Sequence, residues 1–185
     1  MATGNTATFE RAMKLAVVCG LRAALGPALV AAAHNRPERQ TLALAAMGEL
    51  VLDKMPLMPS RAALPLMLPR AYAGYWVTKT LMEEHGETQD PWAAPLGAAV
   101  AAGVSAIAPR IRGLLHTVLG LPQPVLGLAE DYLALRLGGE AVGLSTDDLK
   151  QIANQTVADV KELARPALES IGAGSVLQSI GAGSM

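Results

Sequence analysis

A single cysteine, Cys19, leaves no partner for an intramolecular disulfide, so a disulfide-stapled scaffold is excluded. Its neighbours are apolar, which marks the thiol as an inert, packed group. Aromatic side chains are almost as scarce, at 3% of the chain. Spanning helices commonly carry Trp and Tyr at the water interface, so this scarcity counts against a membrane location. The few that occur are grouped: Trp92 opens one apolar run, and Tyr72, Tyr75 and Trp76 lie inside another. Charge is sparse too, and here the implication runs the other way. Charged residues make up 17% of the chain, against about 25% in soluble domains, which favours a membrane. The net charge of −1 lacks the basic field that nucleic acid demands, and no nucleic-acid partner is expected.

Signatures of catalysis are missing as well. No Glu-x-x-His, His-Glu-x-x-His or paired-Cys spacing supports a transition-metal site, and His34, His85 and His116 are scattered in or near loops. Neither a phosphate-binding Walker loop nor a Gly-x-Ser-x-Gly elbow occurs. Carboxylates could bind a hard cation, but nothing in their spacing requires one. The chain is therefore expected not to be an enzyme, and to hold neither cofactor nor metal.

What the sequence does have is Ala, Leu, Val and Met. Apolar residues reach 51% and mean hydropathy is +0.32, over 185 residues that suffice for one domain or a small bundle of spanning helices. Five apolar segments can be read. Residues 13–33 are interrupted by Arg22 and Gly26-Pro27, and 41–52 is short and ends in charge. Residues 63–82 contain Pro65, Pro69, Arg70 and Lys79. Residues 92–108 carry no charge and are rich in small side chains, and 114–129 breaks at Pro122 and Pro124 before continuing over 132–137. A hydrocarbon layer of about 30 Å needs about 20 helical residues. Several segments fall short, so tilted, re-entrant or half-length helices are expected, with polar breaks facing protein or a water-filled cavity. The first segment ends in Ala31-Ala32-Ala33 and resembles a cleavable leader, but Arg22 and Gly26-Pro27 inside it argue for a retained, broken membrane helix. The expected fold is all-α: a polytopic membrane helical bundle with short or broken helices, a soluble Ala-rich bundle being the alternative.

The division expected along the chain is a polar N-terminal segment (1–12), a membrane domain (13–138), an amphipathic helix (139–169) and a Gly/Ser-rich tail (170–185). Positive charges at alternating segment ends, opposite the acidic stretch 83–90, place the N-terminus in the cytoplasm. Ser145 and Asp148 have the spacing of a capping box, and Leu149, Ile152, Val157 and Val160 then recur near helical spacing. Such a helix can pack on the bundle, lie in the membrane interface or bind a partner. The tail repeats Ser-Ile-Gly-Ala-Gly-Ser at 170–175 and 179–184, two copies where a solenoid needs about three, and flexibility is its default. A fainter echo links 20–27 to 103–109, and 49–54 to 131–136. Two readings stay open: an inverted-topology repeat, as in many transporters, or chance similarity in Ala/Leu-rich sequence.

Charge inside the apolar segments is the main candidate for function. Glu49 and Asp53 share a helix face, and Glu49 lies about 12 Å along the helix from Thr41, well within the apolar layer. Two neighbouring carboxylates there need a cation or a shared proton. Arg22, alone in its apolar segment, is the expected partner, with Lys54 nearer the interface; Glu130, Asp131 and Arg136 make a comparable set in the second half. One reading is a polar pathway or an ion-coupled site. The other is structural, with ion pairs locking helix to helix and Lys54 and Arg136 snorkelling to the surface. Gly97, Ala101 and Ser105 form a small-residue stripe that reads as a helix-packing face.

The order Gly20-Leu21-Arg22, then Gly48-Glu49-Leu50-Val51-x-Asp53-Lys54-x-Pro56-x-x-Pro59-Ser60-Arg61, resembles a bacterial integral membrane protein family known only as domain of unknown function 4126. Leu119-Gly120-Leu121-Pro122 leading to Glu130-Asp131 is similar as well. The resemblance covers roughly 15–138, and its specific part is the stretch from Glu49 to Arg61. It implies an all-helical, multi-pass protein of the bacterial inner membrane and no activity. The region 72–84 is more charged than the family's Gly/Ala-rich helix, and the helix after Ser145 and the tail lie outside it. Two functions follow as expectations. One is transport or permeation of a small solute or ion. The other is a non-catalytic accessory or scaffold subunit of a membrane complex. The expected partners are the lipid bilayer and either other membrane proteins or further copies of the chain.

Overall fold

The computed structural model describes residues 2–52, 64–86 and 90–170. Within them the chain is all-α: α1 (Ala2–Leu21), α2 (Leu25–Ala33), α3 (Arg39–Leu52), α4 (Leu64–Glu84), α5 (Ala93–Leu119), α6 (Gln123–Val142) and α7 (Thr146–Ser170). Asp53, Lys54, residues 56–61 and the repeated tail beyond Ser170 lie outside the described residues.

Pro27 explains why the first apolar segment is two helices. A proline ring clashes with the carbonyl four residues back, here Ala23, and its nitrogen donates no hydrogen bond. A continuous helix through this point is therefore penalised. In the first turn of a new helix the missing donor costs nothing, and α2 starts at Leu25. The break leaves the backbone N–H groups of Ala23 and Ala24 turned toward α3.

α1 is central and packs against α4, α5, α6 and α2. Leu15, Val18, Cys19, Val30 and Val77 are completely buried. Where α4 crosses α5 the backbones nearly touch: a Cβ at Gly74 would lie 2.5 Å from the Gly97 carbonyl oxygen, and one at Gly97 2.7 Å from that of Gly74. The stripe Gly97, Ala101, Ser105 is buried and forms this packing face. α1 uses the same device, since a Cβ at Gly20 would sit 2.6 Å from Val104 Cβ. The echoed segments thus lie against each other, but they differ in form: 20–27 spans the break between α1 and α2, whereas 103–109 is uninterrupted helix.

Two expected boundaries move. α5 does not stop before Arg110 and Arg112 but carries both to Leu119, where Gly120 closes it at φ 64°, a left-handed conformation that suits glycine. Pro122 and Pro124 then open α6. Similarly, Gly138 and Gly139 do not end the bundle. They are buried inside α6, and a Cβ on Gly139 would press on Leu149 of α7. The helix ends instead at Gly143, with φ 75°.

The capping box is formed: Asp148 N–H donates to Ser145 Oγ at 3.2 Å and Ser145 N–H to Asp148 Oδ2 at 2.8 Å. The Ser145 hydroxyl also donates to Asp148 Oδ2 at 2.7 Å, and this bond first, then the Ser145 N–H, holds the Asp148 carboxyl below its usual range. α7 then packs on α3 and α6.

One helix among the described residues, α5, is long and apolar enough to cross a membrane, and only 17% of its apolar window is buried in the fold. The core helix of a soluble domain would be mostly covered. Ile107, Ile111, Leu114 and Val118 of α5, with Leu128 and Leu133 of α6, are all at least half exposed.

Candidate functional site

Arg22 sits in the break between α1 and α2, at 1% exposure the largest fully buried side chain among the described residues. Its Nε donates to Asp131 Oδ1 of α6 at 2.7 Å, and its terminal Nη2 reaches the same oxygen. Asp131 is itself 7% exposed. Beside Arg22, the Glu49 carboxylate of α3 closes the gap left by Pro27. Oε1 accepts the Ala23 N–H at 3.0 Å and Oε2 the Ala24 N–H at 2.8 Å. A carboxylate at a helix start satisfies donors that have no helical partner and meets the positive end of the dipole. Glu49 Oε1 also accepts from Arg70 Nη2 of α4 at 3.3 Å. Arg112 of α5 pairs with Glu130 of α6.

Three guanidiniums and three carboxylates from four helices and one helix break thus make one field. Arg70 feels both Glu49 and Arg22, and Arg112 feels both Arg22 and Asp131. The expected direct pairing of Arg22 with Glu49 is replaced: the partner seen on Arg22 is Asp131, while Glu49 holds the adjacent backbone. The physical reason is the helix break, which offers Glu49 two free N–H groups beside Arg22. Glu130 and Asp131 join the cluster, whereas Arg136 is exposed on α6. Asp53 and Lys54 lie outside the described residues. Arg70 and Arg112 are the members that sequence reasoning missed. Arg70 carries the same signal as Arg22, an arginine set among Leu66, Leu68, Ala71 and Ala73. Arg112 was hidden by the expected end of α5.

Two clefts adjoin the cluster between α5 and α6, and Arg112 lines both. One, of about 350 Å³, is lined by Arg22, Asp131, Gln123, Gly127 and Leu128 besides Arg112. The other, of about 290 Å³, is lined mostly by hydrocarbon, including Leu21, Ile111, Leu115, Leu126 and Leu133, with the Arg112–Glu130 pair in its wall. The exposure of Ile111, Leu115 and Leu133 makes this second space an open cleft. Among the described residues no group of three or more His, Cys, Asp or Glu side chains gathers as a metal site would require.

Comparison with protein-family models, with curated proteins and with solved structures finds no significant match to this chain. The reading of its function therefore rests on the motif residues and on this geometry.

Proposed function

We propose that the chain is a multi-pass protein of the bacterial inner membrane that passes or binds a small solute at the polar cleft between α5 and α6. One observation carries the reading: a buried Arg22–Asp131 pair forms the wall of an open cavity beside a long apolar helix that the fold leaves largely bare. Ionisable groups at membrane depth face cavities or one another, and a solute or ion pathway is the functional reading of such a cluster. The short α2 supports a broken-helix plan, since nine residues cover about 13 Å, far less than a bilayer. The resemblance around Glu49 adds the expectation of an all-helical membrane domain.

A second reading has its own support. Every charge of the cluster is held by an opposite charge or a backbone donor, which is what a helix lock in an accessory subunit would need. Two experiments separate the possibilities. Cells broken without detergent are fractionated, and recovery of the chain in the soluble fraction ends the membrane reading. Purified chain is then reconstituted into liposomes. Flux of small ions or solutes that is lost in Arg22→Met/Asp131→Asn, which leaves no uncompensated buried charge, with the chain still folded, supports passage. Absence of flux, with a stoichiometric membrane protein retained in mild detergent, supports the accessory role.

A further inference from the structure

The two clefts between α5 and α6 differ in chemistry and share a wall. The apolar cleft lies against α6 positions 126, 129, 130 and 133. The polar cleft lies against positions 123, 124, 127, 128 and 131, the neighbouring strip of the same helix. Arg112 borders both. A ligand that filled them together would need a hydrocarbon part and a polar part a few ångströms apart. The polar part would meet two guanidiniums, the Gln123 side chain and a single carboxylate in the lining, Asp131.

The α6 helix start adds little to this charge. Val125 and Leu126 N–H groups both bond to the Pro122 carbonyl, and Pro124 has no N–H. An anionic group would therefore be held by side chains. A guanidinium carries five N–H donors, more than one carboxylate can take up, so Arg112 can keep Glu130 and accept a second anion. The apolar cleft opens among Ile111, Leu115 and Leu133, which are exposed and continuous with the bare face of α5. A hydrocarbon tail would leave water, or slide in from surrounding lipid, along that face.

From this adjacency we infer that the α5–α6 cleft binds a single-chain amphiphile with an anionic head, the tail against Leu115, Leu126 and Leu133 and the head at Arg112. The inference rests on the solute-binding reading above and names the class of its solute. A long-chain carboxylate satisfies both halves: its tail suits the hydrocarbon wall, and its two oxygens match the fork of a guanidinium.

The test uses the full chain in phosphatidylcholine nanodiscs and a diazirine-bearing palmitate as photoprobe. Labelling should map to α5 and α6 around Leu115 and Leu133. Unlabelled palmitate should compete at least ten-fold better than hexadecanol, which has the same tail and no charge, and inorganic phosphate should not compete. Ala129→Trp, an exposed position bordering the apolar cleft, should reduce labelling at least five-fold with the helical content unchanged. The double variant Arg112→Gln/Glu130→Gln, which removes both charges together, should erase the preference for palmitate over hexadecanol. Equal competition by palmitate and hexadecanol overturns the inference. So do labelling unaffected by Ala129→Trp, competition by phosphate alone, which indicates a simple anion site, and loss of self-association in Ala129→Trp with labelling intact, which indicates a second copy of the chain in the cleft. The same labelling in buffer without nanodiscs keeps two failures apart. A soluble chain that still discriminates palmitate defeats only the membrane reading, and a membrane chain that does not discriminate defeats only this inference.

Discussion

The two halves of α5 are one helix in two environments. In the first half the small residues Ala93, Gly97, Ala101 and Ser105 are buried and let α4 and α1 approach to backbone contact. From Ile107 on the residues become large, and Ile107, Ile111, Leu114 and Val118 are 52%, 51%, 62% and 70% exposed. Small side chains create close packing within the chain, where dispersion contacts replace a bulky apolar core. Large ones facing outward contribute little to that packing and leave apolar surface exposed. The difference teaches that hydrophobicity here has two jobs. The first half holds the fold, and the second half, with α6, addresses what surrounds it.

The contact that ties the two regions gives the largest expected effect. Arg22 belongs to the packed side and Asp131 to α6, and both are buried. Removing one member of a buried pair strands the other, at a cost of about 3–5 kcal/mol. Arg22→Ala and Asp131→Ala are each expected to lose most folded protein in detergent, measured by size-exclusion recovery and thermal unfolding. Arg22→Met with Asp131→Asn should regain a large part, because no uncompensated charge remains. A double variant as unstable as the two single losses added together would show that the residues act independently. Glu49→Gln should be milder than Glu49→Ala, since a carboxamide oxygen still accepts from one of the Ala23 and Ala24 amides.

Next comes a direct contrast within α5. Gly97→Ala forces a Cβ against the Gly74 carbonyl, which is backbone and cannot rotate away. Overpacking of this kind costs about 1–3 kcal/mol. Gly113, in the facing half, has no neighbouring atom within 4 Å of a built Cβ, so Gly113→Ala should leave stability unchanged or raise it by about 0.5–1 kcal/mol through helix propensity. Equal effects in thermal unfolding would refute the division of α5 into a packing half and a facing half.

The sequence made one of these regions far more legible than the other. The stripe Gly97, Ala101, Ser105 reads directly as a packing face because its period is that of a helix. The break at Pro27 and the cap at Ser145 follow from local chemistry, which needs no knowledge of the rest of the chain. Long-range pairing was less accessible. Arg22 pairs with Asp131, 109 positions away, rather than with Glu49, because Glu49 is drawn to two amides whose freedom depends on how Pro27 splits the helix. The end of α5 was obscured by Pro109, Arg110 and Arg112, which resemble a loop in sequence. α5 carries Pro109 in its interior and Arg112 paired with Glu130 without ending.

A smaller effect is expected at α7, which among the described residues packs mainly on α3 and α6. Ser145→Ala removes an N-cap and should cost about 1 kcal/mol, seen as faster amide exchange in the first turn of α7. The folded Asp148 carboxyl titrates below its unfolded value. Its contribution is therefore complete above the unfolded range, near about pH 4, and disappears as pH falls through the lower folded value. Amide protection of this turn should decline below about pH 4 in the wild type and show no such step in Asp148→Asn.

The smallest effect on folding is expected where the most apolar surface is exposed. Leu114 and Val118 are 62% and 70% exposed, so Leu114→Gln and Val118→Gln should each change unfolding stability within about 0.5 kcal/mol. Their effect belongs to the surroundings. In a bilayer, each glutamine carboxamide loses its water unless it finds a partner, and such desolvation costs about 1–3 kcal/mol on protein scales. The double variant should thus fold normally in detergent yet be recovered less from membranes, with fractionation as the measurement. If it instead unfolds in detergent like Gly97→Ala, the second half of α5 is core that the chain covers itself. If neither stability nor membrane recovery changes, that face meets water. Either result removes the asymmetry on which the membrane reading of α5 depends.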